Sequence, residues 1–406
     1  MDETFTPEFF RNNRLRLRAL FTGTAPIIMT ANGLLQRSGD STYPFRQDSS
    51  FWYLTGITEP DVLLVMDKTK EYLIVPSRSA SREAFDGSVS FETLSATAGI
   101  EDVVDDKEGW KRLTSRLKRV QNVATLAAAP AYIETHGMYV NPARRRLIRR
   151  LRTESASLEV LDLRQHMTKM RMVKQAPEIA ALRRAVEATC STFEHIKQNI
   201  ASYRYEYEIE AEMTAMFRKH GHNHAYAPII ASGKNACTLH YMSNNDGIAE
   251  GGLVLLDVGA EADGYAADIS RTYAAAEPNK RQQQVWQAVM DVQEFAFEAV
   301  RPGVVIGEYE KSIEAFMGEK LRELGLIKTI EHESVRRYYP HATSHFLGLD
   351  VHDAADYERP LEPGMILTVE PGIYIPEESI GIRIEDDVLI TDTGIEVLSA
   401  SLDRRL

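Results

Sequence analysis

The segment Leu253-Val-Leu-Leu-Asp257-Val-Gly-Ala260 places a carboxylate at the end of a short apolar run, and a second carboxylate follows at Asp268. Such a run is typical of a buried strand. A carboxylate at the end of a buried strand is costly to desolvate unless a positive charge compensates it. The spacing of the two acids fits an antiparallel hairpin whose paired side chains face the same way. The segment therefore predicts a strand-rich region with an acidic centre.

The same pattern recurs near the C-terminus. The run Leu367-Thr-Val-Glu370-Pro-Gly-Ile-Tyr374 again ends its apolar part in an acid, and Gly381-Ile-Arg383-Ile-Glu385 supplies a second one. Before them lies a histidine-bearing stretch, His341-Ala-Thr-Ser-His345-Phe-Leu-Gly-Leu-Asp-Val-His352. The repetition predicts a duplicated half-domain whose two hairpins converge on one site.

These segments contain a candidate metal-ligand set of four carboxylates and one histidine: Asp257, Asp268, His345, Glu370 and Glu385. Oxygen-rich sites suit hard cations, and one imidazole shifts the preference toward Mn²⁺, Co²⁺, Fe²⁺ or Zn²⁺. Four carboxylates carry about the charge that two divalent cations neutralise. A pair of such cations suits the hydrolysis of an amide or of a phosphate ester.

Taken singly, these residues have ordinary structural explanations. Asp257 before Val-Gly is typical of a turn, and a lone histidine is most often structural. His341 and His345 have the i, i+4 spacing of a zinc-binding helix, but an alanine stands where a zinc protease carries glutamate. Asp386 and Asp387 are predicted to lie at a strand end and to face solvent. The metal site is predicted from the whole set, since no single residue carries it.

Composition indicates an ordinary soluble protein with more than one core. The chain has 406 residues, 44% hydrophobic and 26% charged, and a length of this size predicts two domains. The net charge of -12 argues against nucleic-acid or anionic-membrane partners. Two cysteines imply no disulfide framework. The N-terminus lacks a signal-peptide pattern and no apolar run is long enough to span a bilayer, so we expect a cytoplasmic protein.

A polar, basic stretch at 161–174, followed by a helix start at Ala176-Pro-Glu178, predicts a domain boundary near residue 173. Residues 1–173 alternate strand-like runs at 26–30, 62–66 and 72–75 with basic amphipathic helices at 110–123 and 142–152, which predicts an α/β domain with a parallel or mixed sheet. Residues 174–406 begin with a helix at 178–199, become strand-rich after Pro228 and contain another helical stretch at 280–326. Helices followed by paired strands predict an α+β domain there.

The acidic segments resemble those of the pita-bread metallopeptidases (family M24), the fold shared by methionine aminopeptidase, prolidase and aminopeptidase P. The resemblance extends to Ser232-Gly-Lys-Asn-Ala-Cys-Thr-Leu-His240-Tyr241, which is similar to the family's substrate-pocket segment. Tyr43-Pro-Phe-Arg-Gln-Asp-Ser-Ser-Phe-Trp-Tyr-Leu-Thr-Gly56 is similar to aminopeptidase P in particular. The resemblance implies duplicated αβ half-domains with an antiparallel sheet and covering helices, preceded by a separate α/β domain.

The resemblance also implies a role for each site residue. Asp257 is expected to bind the second of two divalent ions, Asp268 and Glu385 to bridge both, and His345 and Glu370 to complete the first. Mn²⁺ is the expected metal, with Co²⁺ and Zn²⁺ as alternatives. The expected catalytic residues are Glu370, as the proton shuttle, and His352 and His240, beside the scissile bond. The expected substrate-binding residues are His341, Arg383 and Tyr241, in the substrate pocket.

The implied activity is hydrolysis of the N-terminal Xaa-Pro bond of peptides, by an enzyme expected to form dimers or tetramers. A prolidase that cleaves only Xaa-Pro dipeptides is the main alternative, and a metal-free peptide-binding module of the same fold is a lesser one. Cleavage of tripeptides would exclude the prolidase, and bound metal would exclude the binding module. Arg383 has a second interpretation as a partner of Glu385, and Tyr374 as either a hydrogen-bond donor or a packing residue.

Two departures from the bacterial aminopeptidase P pattern bear on peptide length. The segment between Glu370 and Glu385 is shorter than in that subfamily, and residues 84–89 replace a Trp-Phe-Gly-Arg-Arg run that helps to recognise more distant parts of a peptide. The preferred substrate length is therefore left open between dipeptides and longer peptides.

Overall fold

The computed structural model describes residues 5–128 and 137–406 and separates the chain into two compact units, Met1–Met170 and Arg171–Leu406. The two units differ in charge. Residues 1–170 contain 24 basic and 21 acidic residues, whereas residues 171–406 contain 23 basic and 38 acidic residues. The net negative charge of the protein therefore belongs to the second unit.

The first unit is built on a six-stranded mixed sheet. Its strands are β1 (Ile27–Thr30), β4 (Leu63–Met66), β5 (Glu71–Val75), β6 (Val103–Asp105), β7 (Asn122–Thr125) and β8 (Glu159–Asp162), in the order β6-β5-β4-β1-β7-β8. Strand β4 runs antiparallel to both its neighbours and the other pairings are parallel. A small hairpin of β2 (Gln36–Ser38) and β3 (Ser41–Thr42) lies outside this sheet. The prediction of an α/β domain with a mixed sheet is confirmed.

Seven helices accompany this sheet in the described residues: α1 (Pro7–Leu20), α2 (Ser49–Thr55), α3 (Ala80–Asp86), α4 (Phe91–Ala98), α5 (Asp106–Leu117), α6 (Ala143–Glu154) and α7 (Arg164–Met172). The predicted helix at 110–123 is wrong at its end. The buried positions Trp110, Leu113 and Leu117 follow helical spacing, but the helix ends at Leu117. Val123 is instead a buried residue of strand β7, and this strand lies between β1 and β8 in the sheet.

The second unit repeats one arrangement twice. The first half contains α8 (Ala176–Asn199), α9 (Glu206–Lys219), β9 (Asn223–His224), β10 (Ile229–Ser232), β11 (Leu253–Asp257), β12 (Ala260–Ala262), β13 (Tyr265–Ala266) and β14 (Ser270–Ala274). The second half contains α10 (Lys280–Ala299), α11 (Ile306–Glu323), α12 (His332–Arg336), β15 (Ile366–Val369), β16 (Gly372–Ile375), β17 (Ile380–Arg383), β18 (Asp386–Ile390) and β19 (Ile395–Val397). Each half is a helix pair followed by nested antiparallel strands, which confirms the predicted duplication.

The strands of the second unit form several small antiparallel sheets. Their orders are β10-β11-β14, β13-β12-β9, β15-β18-β19 and β16-β17. The helix pair of each half packs on the strands of that half: Phe193 and Met213 share a core with Leu256, and Val289 and Ile313 share one with Leu367. Burial of one such side chain contributes about 1.5–3 kcal/mol to the stability of the fold. The packing of the helices on the strands therefore holds the strand ends in fixed positions.

None of the helices in the described ranges combines the length and the apolar composition that a bilayer-spanning segment needs.

Candidate active site

The strand ends bring the four predicted acids together. Asp257 is the last residue of β11, and Asp268 lies just before β14, with which β11 pairs in antiparallel register. In the second half Glu370 directly follows β15 and Glu385 directly precedes β18, and these two strands also pair. Each nested hairpin therefore presents two carboxylates at one of its ends.

These carboxylates line one cavity of about 430 Å³ together with several histidines. Its lining residues are Leu239, His240, Asp257, Asp268, His341, Ala342, Ser344, His345, His352, Tyr357, Glu370, Arg383 and Glu385. The structure thus brings all five predicted metal ligands, the two predicted catalytic histidines, His341 and Arg383 to a single place.

The donor atoms in this cavity suit a metal ion. Asp268, His345 and Glu385 each offer one ligand atom, and the three atoms lie within 4.8 Å of one another. His345 Nε2 lies 3.3 Å from Asp268 Oδ2 and 3.5 Å from Glu370 Oε1. Ligand atoms that share one ion at about 2.1 Å lie about 3 Å apart or slightly more, so this spacing fits a common cation. The spacing of these ligand atoms and their chemical type therefore both fit a metal centre.

The protein groups alone leave the acids poorly compensated. Burial raises the pKa of Asp257, and burial together with the charge of Asp268 raises the pKa of Glu385 well above its usual range. Burial also raises the pKa of Glu370 to about 8, against the opposing effects of His345 and Arg383. Acids whose ionised forms are this disfavoured are typical of a site completed by cations.

Arg383 is the main cation that the chain itself supplies to the cavity. Its Nη2 donates to Asp257 Oδ2 at 2.5 Å, its Nε donates to Ser270 Oγ at 2.8 Å, and its Nη1 donates to Tyr374 Oη at 2.8 Å. The distance from Arg383 Nε to Glu385 Oε2 is 3.8 Å. Asp257 is therefore its closer carboxylate partner, and Glu385, the partner expected from the sequence, lies farther away.

The three other histidines occupy distinct positions around the acids. His341 Nε2 lies 2.8 Å from Tyr374 Oη, and burial and the charge of Arg383 lower the pKa of His341 to about 3, which keeps its imidazole neutral at neutral pH. The rings of His345 and His352 meet edge to face with centroids 4.3 Å apart. His240 is exposed at the rim of the cavity. Tyr374 is buried, and its hydroxyl takes part in the polar network of the cavity.

Tyr241, a predicted substrate-pocket residue, lies outside the set of cavity-lining residues. Its hydroxyl donates to Glu206 Oε2 at 2.8 Å. The tyrosine thus holds its own loop to helix α9, and it places the preceding residue, His240, at the cavity.

Sequence reasoning missed Tyr226. Its buried hydroxyl oxygen lies 2.6 Å from Asp257 Oδ1 and 2.6 Å from Asp268 Oδ1, so it joins the two acids of the first hairpin. Burial and both carboxylates raise the pKa of this hydroxyl, which keeps it a donor. Tyr226 is 31 and 42 residues from these partners and sits in no repeated pattern, so the sequence carries no signal for the contact.

Asp386 and Asp387 lie at the start of β18, but the prediction that they face solvent is wrong, because both side chains are buried. Strand β18 lies between β15 and β19, so it is a central strand. Asp386 pairs with Arg271 at 2.6 Å, and Asp387 Oδ2 accepts a hydrogen bond from the backbone N–H of Asp268 at 3.1 Å. Asp387 therefore holds the backbone of Asp268, which lines the cavity, and Asp386 holds Arg271.

Comparisons with known proteins agree with this geometry. The model of metallopeptidase family M24 matches residues 180–392, and the model of the aminopeptidase P N-terminal domain matches residues 10–125. Xaa-Pro aminopeptidase from Escherichia coli (strain K12) is 34% identical, over 100% of this chain and 97% of that protein. Human Xaa-Pro aminopeptidase 3 is 30% identical, over 94% of this chain and 79% of that protein.

Solved structures give the same result. Aminopeptidase P from E. coli with the inhibitor Pro-Leu has a TM-score of 0.87 and 32% identity, and the match covers 99% of this chain and 96% of that one. Proline aminopeptidase P II from Yersinia pestis has a TM-score of 0.85 and 33% identity, with 99% and 98% covered. With two acidic hairpins and a histidine at one cavity, and with these matches over almost its whole length, the chain belongs to metallopeptidase family M24 and carries an aminopeptidase P N-terminal domain.

Proposed function

We propose that this protein is a metal-dependent Xaa-Pro aminopeptidase, which hydrolyses the bond between the first residue of a peptide and a proline at the second position. The observation that carries the proposal is the convergence of five potential metal ligands and three further histidines on one cavity. Its relatives include an Xaa-Pro aminopeptidase and an aminopeptidase P, which supports the substrate class.

Two divalent ions, with Mn²⁺ as the expected metal and Co²⁺ or Zn²⁺ as alternatives, complete the proposed site. Asp257, Asp268, His345, Glu370 and Glu385 would hold them. Bound ions of this kind polarise a carbonyl and lower the pKa of a water molecule. In the proposal Asp268 and Glu385 would contribute to holding both ions, and Asp257 would contribute to holding the second.

The chain's own groups account for proton transfer and for substrate placement. Glu370 lies 3.5 Å from His345 and 3.6 Å from His341, so its carboxylate is placed within the cavity to take a proton and pass it to the leaving nitrogen. His352 and His240 line the cavity where a developing oxyanion and leaving group would lie.

Proline at the second position is consistent with this cavity. The Xaa-Pro bond is a tertiary amide without an N–H, so an enzyme that holds its substrate by that N–H cannot use it. A centre that acts on the carbonyl does not need the N–H. We assign His341 and Arg383 to the pocket for the proline ring, and we assign Tyr241 to the support of that pocket.

Preference for dipeptides is the second candidate, because the segment between Glu370 and Glu385 is short. In this protein it forms the hairpin of β16 and β17, joined by a single turn at Pro376–Glu378. Homo-oligomers, as dimers or tetramers, and a cytoplasmic location belong to the same proposal, and sedimentation and cell fractionation test them.

Hydrolysis of three peptides by metal-stripped protein, with Mn²⁺, Co²⁺ or Zn²⁺ added back, tests the function. Release of arginine from Arg-Pro-Pro, with Arg-Ala-Ala intact, is the expected result. Cleavage of Gly-Pro alone would identify a prolidase. Absence of cleavage with every metal would overturn the proposal and favour the metal-free peptide-binding module.

A further inference from the structure

Glu206 is a buried carboxylate that organises one loop of the cavity. Its Oε1 accepts hydrogen bonds from Ser232 N at 2.7 Å, from Ser232 Oγ at 2.8 Å and from Asn235 Nδ2 at 3.1 Å. Its Oε2 accepts from Tyr241 Oη at 2.8 Å and from Asp246 N at 2.9 Å. All five donors belong to residues 232–246, the segment that carries His240.

These five hydrogen bonds stabilise a carboxylate that is fully buried. The side chain of Glu206 is 0% exposed, and its recorded donors in the described residues are all neutral. A buried charge persists only when hydrogen bonds replace its lost hydration. Glu206 is also the first residue of helix α9, where the helix dipole favours a negative charge. The cost of burial is therefore met by contacts that fix the loop.

Glu310 makes the same kind of contact in the second half. Its carboxylate accepts from the backbone N–H of Thr343 at 2.9 and 3.0 Å and from that of Ser344 at 3.0 Å. The carbonyl oxygen of Thr343 accepts from Glu370 N at 2.9 Å. Glu310 thus fixes the segment between His341 and His345, and the other side of that segment is bound to the backbone of a proposed catalytic residue.

The two glutamates belong to corresponding helices of the repeat. Each lies in the second helix of its half, Glu206 in α9 and Glu310 in α11. Glu206 is the first residue of α9, whereas Glu310 is the fifth residue of α11. Each accepts backbone N–H groups from a loop that brings histidine to the cavity. The same device therefore serves both halves of the duplicated unit.

We propose that Glu206 and Glu310 are positioning residues for the peptidase reaction, which fix the loops of His240 and of His341–His345 without touching the substrate. The inference rests on the proposed function for its effect on turnover. Its structural part, the immobilisation of the two loops, does not depend on that function and can be measured separately.

Glu206→Gln tests the first loop, with Glu178→Gln as the matched control. Glu178 is equally buried near a helix N-terminus, and it accepts from Gln175 N at 3.0 Å and Tyr265 Oη at 2.9 Å, far in sequence from the histidine loops. The new amide in Glu206→Gln turns one acceptor into a donor facing other donors. We expect kcat/KM for Arg-Pro-Pro to fall about tenfold to a hundredfold, mainly in kcat, and Glu178→Gln to change it less than threefold.

Amide hydrogen exchange read by mass spectrometry supplies the readout that activity cannot. We expect residues 232–246 to exchange about tenfold faster in Glu206→Gln, and the 341–345 segment to do so in Glu310→Gln, whereas both segments keep wild-type rates in Glu178→Gln. Wild-type protein that leaves Arg-Pro-Pro intact would sink the proposed function and leave this exchange test valid. Unchanged exchange in both variants, or equal changes in the control, would overturn the positioning roles.

Tyr241→Phe is the milder variant in case Glu206→Gln does not fold. It removes one of the five donors to Glu206, so we expect faster exchange at 232–246 and a loss of kcat/KM smaller than that of Glu206→Gln. A rise in KM of more than about tenfold with unchanged exchange would overturn this reading, because Tyr241 would then bind substrate directly.

Discussion

Arg383 lines the cavity and connects three side chains around it through three different nitrogen atoms. It binds Asp257, Ser270 and Tyr374 at the same time, which requires a planar group with several fixed donors. A lysine ammonium has one nitrogen and cannot span these partners. The guanidinium therefore sets the spacing of the cavity walls as well as its charge.

Arg383→Lys should lower kcat/KM for Arg-Pro-Pro by about a hundredfold, because Asp257 and Tyr374 lose their common partner. Steady-state kinetics measures the effect. Arg281→Lys is the control, since Arg281 binds Glu378 through two nitrogens at the surface. A variant that keeps wild-type kcat/KM would show that the charge of residue 383 matters and its shape does not.

Glu370→Ala should abolish hydrolysis and leave the fold intact, because Glu370 is both a proposed ligand and the proposed proton carrier. Turnover of Arg-Pro-Pro and the circular dichroism spectrum are the two measurements. Glu362→Ala, which removes a surface partner of Arg359, serves as the control. Turnover within tenfold of wild type would contradict the assigned role.

Single residues differ in how well the sequence predicts them. The acids were found because each stands beside an apolar strand run, which is a local pattern, and because the set resembles a known family. Tyr226, Glu206 and Glu310 were not found, because their partners lie tens of residues away and share no period with them. Such contacts arise only when helices and loops from different parts of the chain meet.

At the scale of elements, the turn after β11 brings two backbone segments unusually close. A Cβ atom on Gly259 would lie 1.8 Å from the carbonyl oxygen of Ala267, the residue before Asp268. Only glycine fits this approach. The turn therefore sets the distance between the two acids of the first hairpin.

Gly259→Ala should destabilise the protein by about 2–4 kcal/mol and reduce metal binding, because the backbone must move to relieve the clash. Thermal unfolding and metal content after dialysis check both effects. Gly307→Ala is the control, since a Cβ atom at this position in α11 meets nothing within 4 Å and alanine favours a helix. Equal stability of the two variants would contradict the role of the turn.

Helices and strands could be predicted from the sequence where one of their faces is exposed to solvent. Helix α6 follows its predicted range within a few residues, since buried leucines alternate with exposed arginines. Helix α5 was predicted to extend too far, and Asp386 and Asp387 were predicted to face solvent, because an apolar or acidic run does not reveal that both of its faces are covered. Neighbouring strands supply that information.

At the scale of the whole molecule, metal removal should weaken the fold more as pH rises. With no cation bound, the pKa of Glu370 is about 8 against an ordinary 4.5, because of burial, and that of Glu385 is also raised. A carboxyl group with a raised folded-state pKa stabilises the fold fully below its unfolded pKa, and this contribution is lost as pH rises through the folded pKa. The relevant range is about pH 5 to pH 8.

The melting temperature of chelator-treated protein should therefore fall over this range, whereas that of Mn²⁺-loaded protein should fall less, since cations compensate the ionised acids. Differential scanning fluorimetry with and without chelator makes the comparison. Parallel curves for the two samples would contradict a metal at these carboxylates.

The overall architecture was predictable because two separate signals agreed. Alternating strands and helices indicated the α/β character of the first unit, and the repeated acidic hairpins indicated the duplicated second unit. The boundary at residues 173/174 stays a prediction, which rests on the polar, basic stretch before it and the helix start after it.

The unequal charge of the two units affects how fast a peptide arrives. Residues 171–406 hold 38 acids and 23 bases, and this surplus creates a long-range field that attracts the ammonium group of a peptide N-terminus. Salt shortens the reach of that field to about 8 Å at 0.15 M. Raising NaCl should therefore slow the capture of Arg-Pro-Pro more than that of Asp-Pro-Pro, as kcat/KM over a salt series would reveal. Ionic strength would then change which first residue is preferred, before the peptide contacts the protein.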